Sequence, residues 1–160
     1  MIRLIATCLV VMVLLIPAAH AEEKSFSIIS CRSGTSTMLS ASKELTVFSY
    51  DFKGINIGID GDKTFENFTH RCMGVSRIEG DEYTTTGFCK YLDPDGDFFI
   101  VAYDGLAGPK PLPWEFVQGT GKWKGVKGTG TAQTITRGKP IAEGTFQYCS
   151  KITGTYELPQ

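Results

Sequence analysis

The sequence is poor in histidine, in blocks of like charge and in closely spaced cysteine pairs. His20 and His70 are the only imidazoles, so catalysis with histidine as general acid or base has little material. The 16 basic and 17 acidic side chains form no block of one sign, which argues against nucleic acid or an anionic membrane as partner. No two cysteines have the Cys-x-x-Cys spacing of zinc sites. We therefore expect no metal, no cofactor and no nucleic-acid partner.

Long hydrophobic runs are also missing, with one exception at the N-terminus. Residues 4–16 form an uncharged apolar run, and the small-residue triplet Ala19-His20-Ala21 follows it, as in signal peptides. The run is about 13 residues long, shorter than the roughly 20 of a membrane-spanning helix. The sequence predicts a signal peptide over residues 1–21 that is cleaved after Ala21, no membrane span, and a periplasmic or extracellular mature protein.

The remaining residues, 22–160, suffice for one hydrophobic core of ordinary size and are too few for two. We expect a single domain. Its oligomeric state is not predictable from the sequence.

The mature chain keeps four cysteines, and disulfides persist in exported proteins. Cys72 and Cys89 lie at nearly equal distances from a turn at residues 79–82, so they should face each other across a hairpin. Cys31 would then pair with Cys149 near the end of the chain, as happens when the first and last strands close a barrel. We predict these two disulfides, the first favoured by local geometry.

From Lys24 onward the pattern is that of β-strands. Runs of alternating, β-branched or aromatic residues recur between clusters of Gly, Pro and Asp. The strand candidates are residues 26–31, 44–52, 55–59, 65–78, 83–92, 98–103, 114–117, 129–136, 144–149 and 152–157. Many antiparallel strands joined by short turns predict an all-β fold, either a closed barrel or two packed sheets.

Two strand candidates show the clearest alternation. Residues 55–59 place three isoleucines on one face and Asn56 on the other, so only the isoleucine face should need to be dry. Tyr83, Thr85 and Cys89 share a face of the 83–92 candidate. In residues 121–125, alternation puts Trp123 on an inward face and its two lysine neighbours in water.

The C-terminal third carries a family resemblance. Gly119-Thr120-Gly121-Lys122-Trp123-Lys124-Gly125-Val126-Lys127-Gly128 resembles the Gly-Thr-Gly-x-aromatic-x-Gly-x-x-Gly segment of allene oxide cyclase and dirigent-like barrels, including small secreted bacterial proteins. The similarity covers residues 114–157. It implies a single closed antiparallel barrel of about eight strands. It implies no function, because fold alone does not determine chemistry.

Two motifs suggest ion binding and are incomplete. Asp93, Asp95, Asp97 and Asp104 match the spacing of a calcium loop, but Phe98 stands where such a loop needs glycine. We interpret this segment as a solvated hairpin turn. Residues 119–122 lack the preceding glycine and the following Ser or Thr of a phosphate-binding loop. Lys122 and its neighbouring lysines could instead form a basic patch, or simply an exposed strand face.

Three functions remain open. The first is a barrel that binds a small apolar or aromatic ligand, because an eight-stranded barrel is just wide enough to be filled or to hold one such molecule. The residues that we expect to line this site are Tyr50, Tyr83, Tyr91, Trp114 and Trp123. The second is a filled barrel that acts through its surface as an interaction or inhibitor module. The third, ranked last, is a cofactor-free cyclase or isomerase, whose buried carboxylate could be Glu66 or Glu115.

No catalytic residues can be assigned. His70 has no Gly-x-Ser-x-Gly nucleophile motif to work with, and bridged cysteines do not supply a thiol. The sequence therefore favours a binding protein over an enzyme.

Overall fold

A computed structural model of the protein describes residues 22–108 and 110–159. The predicted signal peptide lies outside these residues. The described chain is an all-β closed barrel in which each strand pairs antiparallel with the next and β1 pairs with β8. The strands are β1 (Lys24–Ala41), β2 (Leu45–Gly58), β3 (Thr69–Glu79), β4 (Glu82–Leu92), β5 (Phe98–Leu106), β6 (Leu112–Gly119), β7 (Thr129–Arg137) and β8 (Thr145–Tyr156). The predicted eight-stranded barrel is confirmed.

Several strand candidates had the wrong limits. The candidates 44–52 and 55–59 are one continuous strand, β2, and the last two candidates are likewise one strand, β8. Gly54 lies within β2, where a Cβ would collide with the carbonyl oxygen of Cys31 and lie 2.7 Å from ring atoms of His70. The glycine leaves room for that imidazole. The candidate 65–78 begins too early, because Phe65 lies in the loop before β3.

The two predicted disulfides are present. Cys72 and Cys89 are direct partners across β3 and β4, and Cys31 and Cys149 are direct partners across β1 and β8. The first bridge is buried on the inner face of the barrel. The second lies on the outer face, because the flanking residues Ser30 and Arg32 face inward. One bridge therefore fastens a hairpin, and the other fastens the seam that closes the barrel.

The expectation for residues 55–59 was wrong. Ile55 and Ile57 are 44% and 49% exposed, whereas Asn56 is only 1% exposed. Side chains alternate along a strand, and β2 turns Tyr50 and Phe52 inward. The same alternation carries Asn56 inward and the isoleucines outward. Other apolar side chains, including Met73, Val75 and Phe88, are also exposed.

The barrel has a closed end and an open end. At the closed end, the loops of residues 59–68 and 120–128 bury Phe65, Phe68, Trp123 and Val126 beside Tyr156. We call these five residues the aromatic plug. Trp123 is buried as expected, but it lies in the 3-10 turn Gly121–Trp123 rather than in a strand.

Within the described ranges, no helix is long and apolar enough to cross a bilayer.

Candidate ligand-binding cavity

The barrel encloses a cavity of about 410 Å³. It extends from Phe26 and Phe65 near the closed end to Lys110 and Gly138 at the open end. Small-molecule sites in proteins have volumes of roughly 300 to 1,000 Å³. The interior is thus not filled by side chains, and the cavity has the size of a site for one small organic molecule.

Four of the five residues predicted to line a ligand site border this cavity. They are Tyr50, Tyr83, Tyr91 and Trp114. Trp123 does not border it, because its indole stacks on Phe65 within the aromatic plug, with ring centroids 5.3 Å apart. Its Nε1 donates a hydrogen bond of 2.9 Å to Asp93. Trp123 therefore closes the barrel from below the cavity.

One wall of the cavity is aromatic. The ring of Tyr91 stacks on that of Phe99, with ring centres 5.1 Å apart. Phe99 in turn contacts Phe116 edge-on, with ring centres 5.0 Å apart. Phe116 in turn contacts Trp114 edge-on at 5.3 Å. Contacts of this kind hold rings in fixed orientations and add about 0.5 to 1.5 kcal/mol each beyond burial. Strands β4, β5 and β6 thus present a rigid apolar surface that suits a flat ligand.

A chain of hydroxyl groups lies beside this wall. The hydroxyl of Tyr50 is 2.8 Å from that of Tyr103 and 2.7 Å from Oγ1 of Thr85. A Cβ at Gly74 or Gly87 would collide with these tyrosine hydroxyls, so both glycines leave space for the pair. Burial raises the pKa of both tyrosines. Their hydroxyls therefore stay protonated at neutral pH and can donate or accept hydrogen bonds.

The opposite wall carries a positive charge. Arg32 on β1 points into the cavity, and its guanidinium carbon lies 5.1 Å from the ring centre of Phe52 and 4.9 Å from that of Tyr148. Its Nε and Nη2 atoms are buried and have no hydrogen-bond partner in the described part of the chain. Both side-chain amide atoms of Asn56 are in the same situation. Both side chains therefore place polar atoms without hydrogen bonds beside the cavity.

Arg32 and Asn56 are not among the residues that the sequence predicted to line a ligand site. The first strand candidate ended at Cys31, although Phe26, Ile28 and Arg32 share one parity and therefore one face of β1. Extending the candidate by one residue would have placed Arg32 inside. Alternation alone gives no sign that Asn56 faces inward, because its isoleucine neighbours are the more apolar face.

His70 is buried beside this charged wall. It is 4% exposed, its Nε2 lies 3.4 Å from Oγ of Ser30, and its ring contacts that of Tyr91 at 5.0 Å. Burial, with a smaller contribution from the positive charge of Arg32, lowers the pKa of His70 to about 3. The imidazole is therefore neutral in the folded protein at physiological pH.

This depressed pKa predicts that acid weakens the fold through His70. In the unfolded chain, His70 takes up a proton near pH 6.5, whereas in the folded protein it does so only near pH 3. The stability that neutral His70 contributes is thus complete above pH 6.5 and is lost as the pH falls toward 3. We expect the free energy of unfolding to fall by up to about 1.4 kcal/mol per pH unit in this range.

Urea unfolding of the protein and of His70→Gln between pH 7 and 4.5 measures this effect, since carboxylates with lowered pKa, such as Asp51 and Asp62, titrate below that range. The slope with pH should be much smaller in the variant. In the unsubstituted protein, the NMR signal of the His70 ring should keep its neutral position over the same range. A ring titration midpoint near the ordinary value would contradict the prediction.

The turn at residues 93–97, predicted to be solvated, is exposed at Asp95 but buries the side chain of Asp93. Asp93 faces inward, and its carboxylate accepts hydrogen bonds from Trp123, Lys122 and two backbone amides of its own turn. Among the described residues, no cluster of three metal-binding side chains occurs. Lys122 pairs with Asp93 and Asp95, so it is not a free lysine that could bind a phosphate. The segment is a structural turn that holds the aromatic plug.

The two glutamates considered for catalysis do not border the cavity. Glu115 is exposed, and Glu66 is half-buried in the loop before β3. The described residues that line the cavity include neither aspartate nor glutamate.

Comparison with solved structures shows the same fold in other proteins. Two pterocarpan synthase dirigent proteins, GePTS1 and PsPTS1, superpose with TM-scores of 0.53 and 0.52 at 12% and 11% sequence identity. Each match covers 87% of this chain, with 94% and 97% of the respective dirigent protein. A pyocyanin demethylase matches with a TM-score of 0.48 and 12% identity over 81% of this chain and 99% of its own. No protein-family model and no curated protein matches the sequence.

The dirigent matches agree with the resemblance found in residues 114–157. The protein has the dirigent-type eight-stranded barrel fold. At this level of identity the likeness establishes the fold and leaves the function to be argued from the cavity.

Proposed function

We propose that the protein is a binding protein that holds one small, mainly aromatic or apolar molecule inside its barrel. The observation that carries this proposal is the cavity of about 410 Å³, open at one end and walled by aromatic rings. A barrel that acted only through its surface would gain stability from a filled core, because a void forfeits packing contacts. Here the plug is tightly packed while the space above it stays open.

The structural neighbours support a small-molecule role. Two of them carry the synthesis of pterocarpans in their names, so the fold is used by proteins that handle organic compounds. A cyclase or isomerase of the kind considered from the sequence would need a carboxylate in the cavity, and none lines it in the described chain. Binding is therefore the function that the lining residues favour.

We also propose that the protein works outside the cytoplasm, as a domain of residues 22–160 released by cleavage after Ala21. The arrangement of residues 1–21 supports export. The two disulfides are compatible with it, because such bridges persist in oxidising compartments and are rare in the cytosol.

The binding proposal predicts that the barrel takes up an uncharged aromatic probe. N-phenylnaphthylamine, which fluoresces strongly in apolar surroundings, should bind saturably with one molecule per barrel. Ala132→Phe places a ring in the cavity and should weaken binding at least about tenfold, equivalent to about 1.4 kcal/mol. Fluorescence titration of protein recovered from the exported fraction measures both.

The matched control is Ala102→Phe. Ala102 lies on β5 between the inward residues Val101 and Tyr103, so the added ring projects from the outer face. This variant should bind the probe like the unsubstituted protein. Equal binding by all three proteins would place the probe outside the barrel and would count against the proposal.

The export proposal has its own test: the intact mass of the exported material should correspond to a chain that starts at Glu22.

A further inference from the structure

We infer that the molecule bound in the cavity is an anion: an aromatic or apolar compound with one acidic group that pairs with the guanidinium of Arg32. This inference rests on the proposed binding function and adds the chemical class of the ligand. It comes from the distribution of charge around the cavity, which differs from that of the whole chain.

The charges that border the cavity are all of one sign. Arg32, Lys110 and Arg137 line it, and no aspartate or glutamate does so among the described residues. The chain as a whole has 16 basic and 17 acidic side chains, so composition does not explain this imbalance. A cleft lined by one sign of charge and walled by apolar groups attracts and retains ligands of the opposite sign.

Arg32 lacks a counter-charge within the described chain. Arg71 pairs with Asp51, Arg77 with Glu79, and Lys122 with two aspartates, whereas Arg32 forms no such pair. Burying a charged donor without a partner is costly, because the hydrogen bonds it made to water are lost and not replaced. A group that arrives with the ligand could supply the missing partner.

The surroundings of Arg32 determine which of its atoms lack a partner. The ring centres of Phe52 and Tyr148 lie 5.1 and 4.9 Å from its guanidinium carbon, and both rings stabilise the positive charge through cation–π interactions. The two rings do not accept hydrogen bonds from the N–H groups at the edge of the guanidinium. The buried Nε and Nη2 therefore remain without partners. Two N–H groups at one edge form the fork that binds a carboxylate or a similar oxyanion in bidentate fashion.

The path to Arg32 is also positive. The guanidinium carbon of Arg137 lies 5.6 Å from the ring centre of Tyr148, so this ring has a guanidinium near it on β1 and another on β7. Arg137 and Lys110 are exposed at the open end. Among the described residues, the other titratable side chains that border the cavity are tyrosines, and burial raises the pKa of Tyr50, Tyr91 and Tyr103, which keeps these three neutral. No negative charge in the described lining competes with an anionic ligand.

Two fluorescent probes with the same skeleton test the inference. Anilinonaphthalene sulfonate differs from N-phenylnaphthylamine by one sulfonate group, so the ratio of their dissociation constants reports the contribution of the negative charge. We expect the sulfonate to bind at least about tenfold tighter, as hydrogen bonds to charged groups predict. Arg32→Gln should remove this preference, so that the dissociation constants of the two probes lie within about twofold of each other.

Arg32→Lys and Arg71→Gln are the controls. Lysine keeps the charge without the planar fork and should retain part of the preference. Arg71 lies on the outer face, paired with Asp51, and its substitution should change neither probe. Should Arg32→Gln fail to fold, naphthalene carboxylate and naphthalene carboxamide, used as competitors on the unsubstituted protein, give the same comparison. Ala132→Phe should weaken binding of both probes if they share the cavity.

The outcomes separate the two proposals. If both probes bind in the cavity with equal affinity, or if Arg32→Gln keeps the preference for the sulfonate, the anion inference is wrong and the binding function stands. If neither probe binds, the binding proposal itself fails for aromatic ligands. A preference that is present in the protein and lost in Arg32→Gln supports both.

Discussion

Replacing Cys31 and Cys149 together by alanine should lower the free energy of unfolding by about 4 to 5 kcal/mol, on the chain-entropy model of disulfides. The bridge joins residues 118 positions apart, so its removal frees nearly the whole described chain in the unfolded state. The cysteines lie on the outer face of the barrel, and alanine therefore leaves no void in the core. Urea unfolding of the protein and of the double variant measures the loss.

The denaturant slope provides an internal check on this mechanism. Without the bridge the unfolded chain expands and exposes more surface. The slope of unfolding free energy against urea concentration should therefore become steeper, while the urea concentration at half-unfolding falls. The Cys72–Cys89 bridge spans 17 positions and should contribute about 3 kcal/mol through the same entropy term. Its cysteines are buried, however, and their removal also leaves a void. A loss below about 1 kcal/mol for the Cys31 and Cys149 variant would mean that pairing of β1 with β8 holds the barrel closed without the bridge.

The closure of the barrel could be predicted from the cysteines, starting from the one pair that is close in sequence. Cys72 and Cys89 flank a turn at equal distances, and that symmetry already determines which residues of β3 and β4 face each other. Once this pair is assigned, only Cys31 and Cys149 remain, one near each end of the mature chain. That bridge predicts that β1 and β8 are neighbours, and in the structure they pair antiparallel.

The orientation of individual side chains was harder to predict. Alternation divides a strand into two faces but does not say which face is inside. In β2 the orientation of Asn56 can be read from Tyr50 and Phe52, which face inward, only if the strand continues through residues 53 and 54. A glycine normally weakens a strand. At Gly54 a side chain would collide with the imidazole of His70 on β3, so the need for glycine at this position comes from a different strand.

The site was predictable only in its apolar part. Aromatic residues in a barrel sequence are expected inside, and Tyr50, Tyr91 and Trp114 do line the cavity. Charged residues are expected outside, since burial of a charge is costly. Arg32 departs from that rule, and departures of this kind are where a sequence gives up stability for another property. For that reason the least predictable residue of the cavity is the one that we expect to select its ligand.

The closed end of the barrel depends on one buried carboxylate. The Asp93 side chain is 0% exposed. Its Oδ2 accepts hydrogen bonds from Nε1 of Trp123 and Nζ of Lys122, each at 2.9 Å. Its Oδ1 accepts the backbone N–H groups of Asp95 and Asp97 at 2.8 and 3.0 Å. Burial alone would raise the pKa of Asp93, but hydrogen bonds, first those from Lys122 and Trp123, outweigh it and hold the pKa below its ordinary value.

Asp93→Ala should therefore cost about 3 to 5 kcal/mol of unfolding free energy, since removing one partner of a buried charged network leaves other polar groups unsatisfied. The indole N–H of Trp123 would lose its acceptor inside the aromatic plug, and the turn would lose both backbone contacts. Asp93→Asn should cost less, about 2 kcal/mol, because the amide oxygen can keep one set of hydrogen bonds while its nitrogen cannot accept the other. The stabilisation is present at neutral pH and is lost as the pH falls through the depressed pKa of Asp93.

Asp95→Ala is the matched control for this prediction. Asp95 belongs to the same turn and also pairs with Lys122, but its side chain is 76% exposed and does not contact Trp123. Exposed ion pairs contribute about 1 kcal/mol or less, so this variant should remain close to the unsubstituted protein in urea unfolding. Equal losses for Asp93→Ala and Asp95→Ala would assign the stabilisation to Lys122 rather than to the bond with Trp123. A large loss confined to Asp93→Ala, with a changed tryptophan emission, would show that this carboxylate fixes Trp123 and, through it, the floor beneath the cavity.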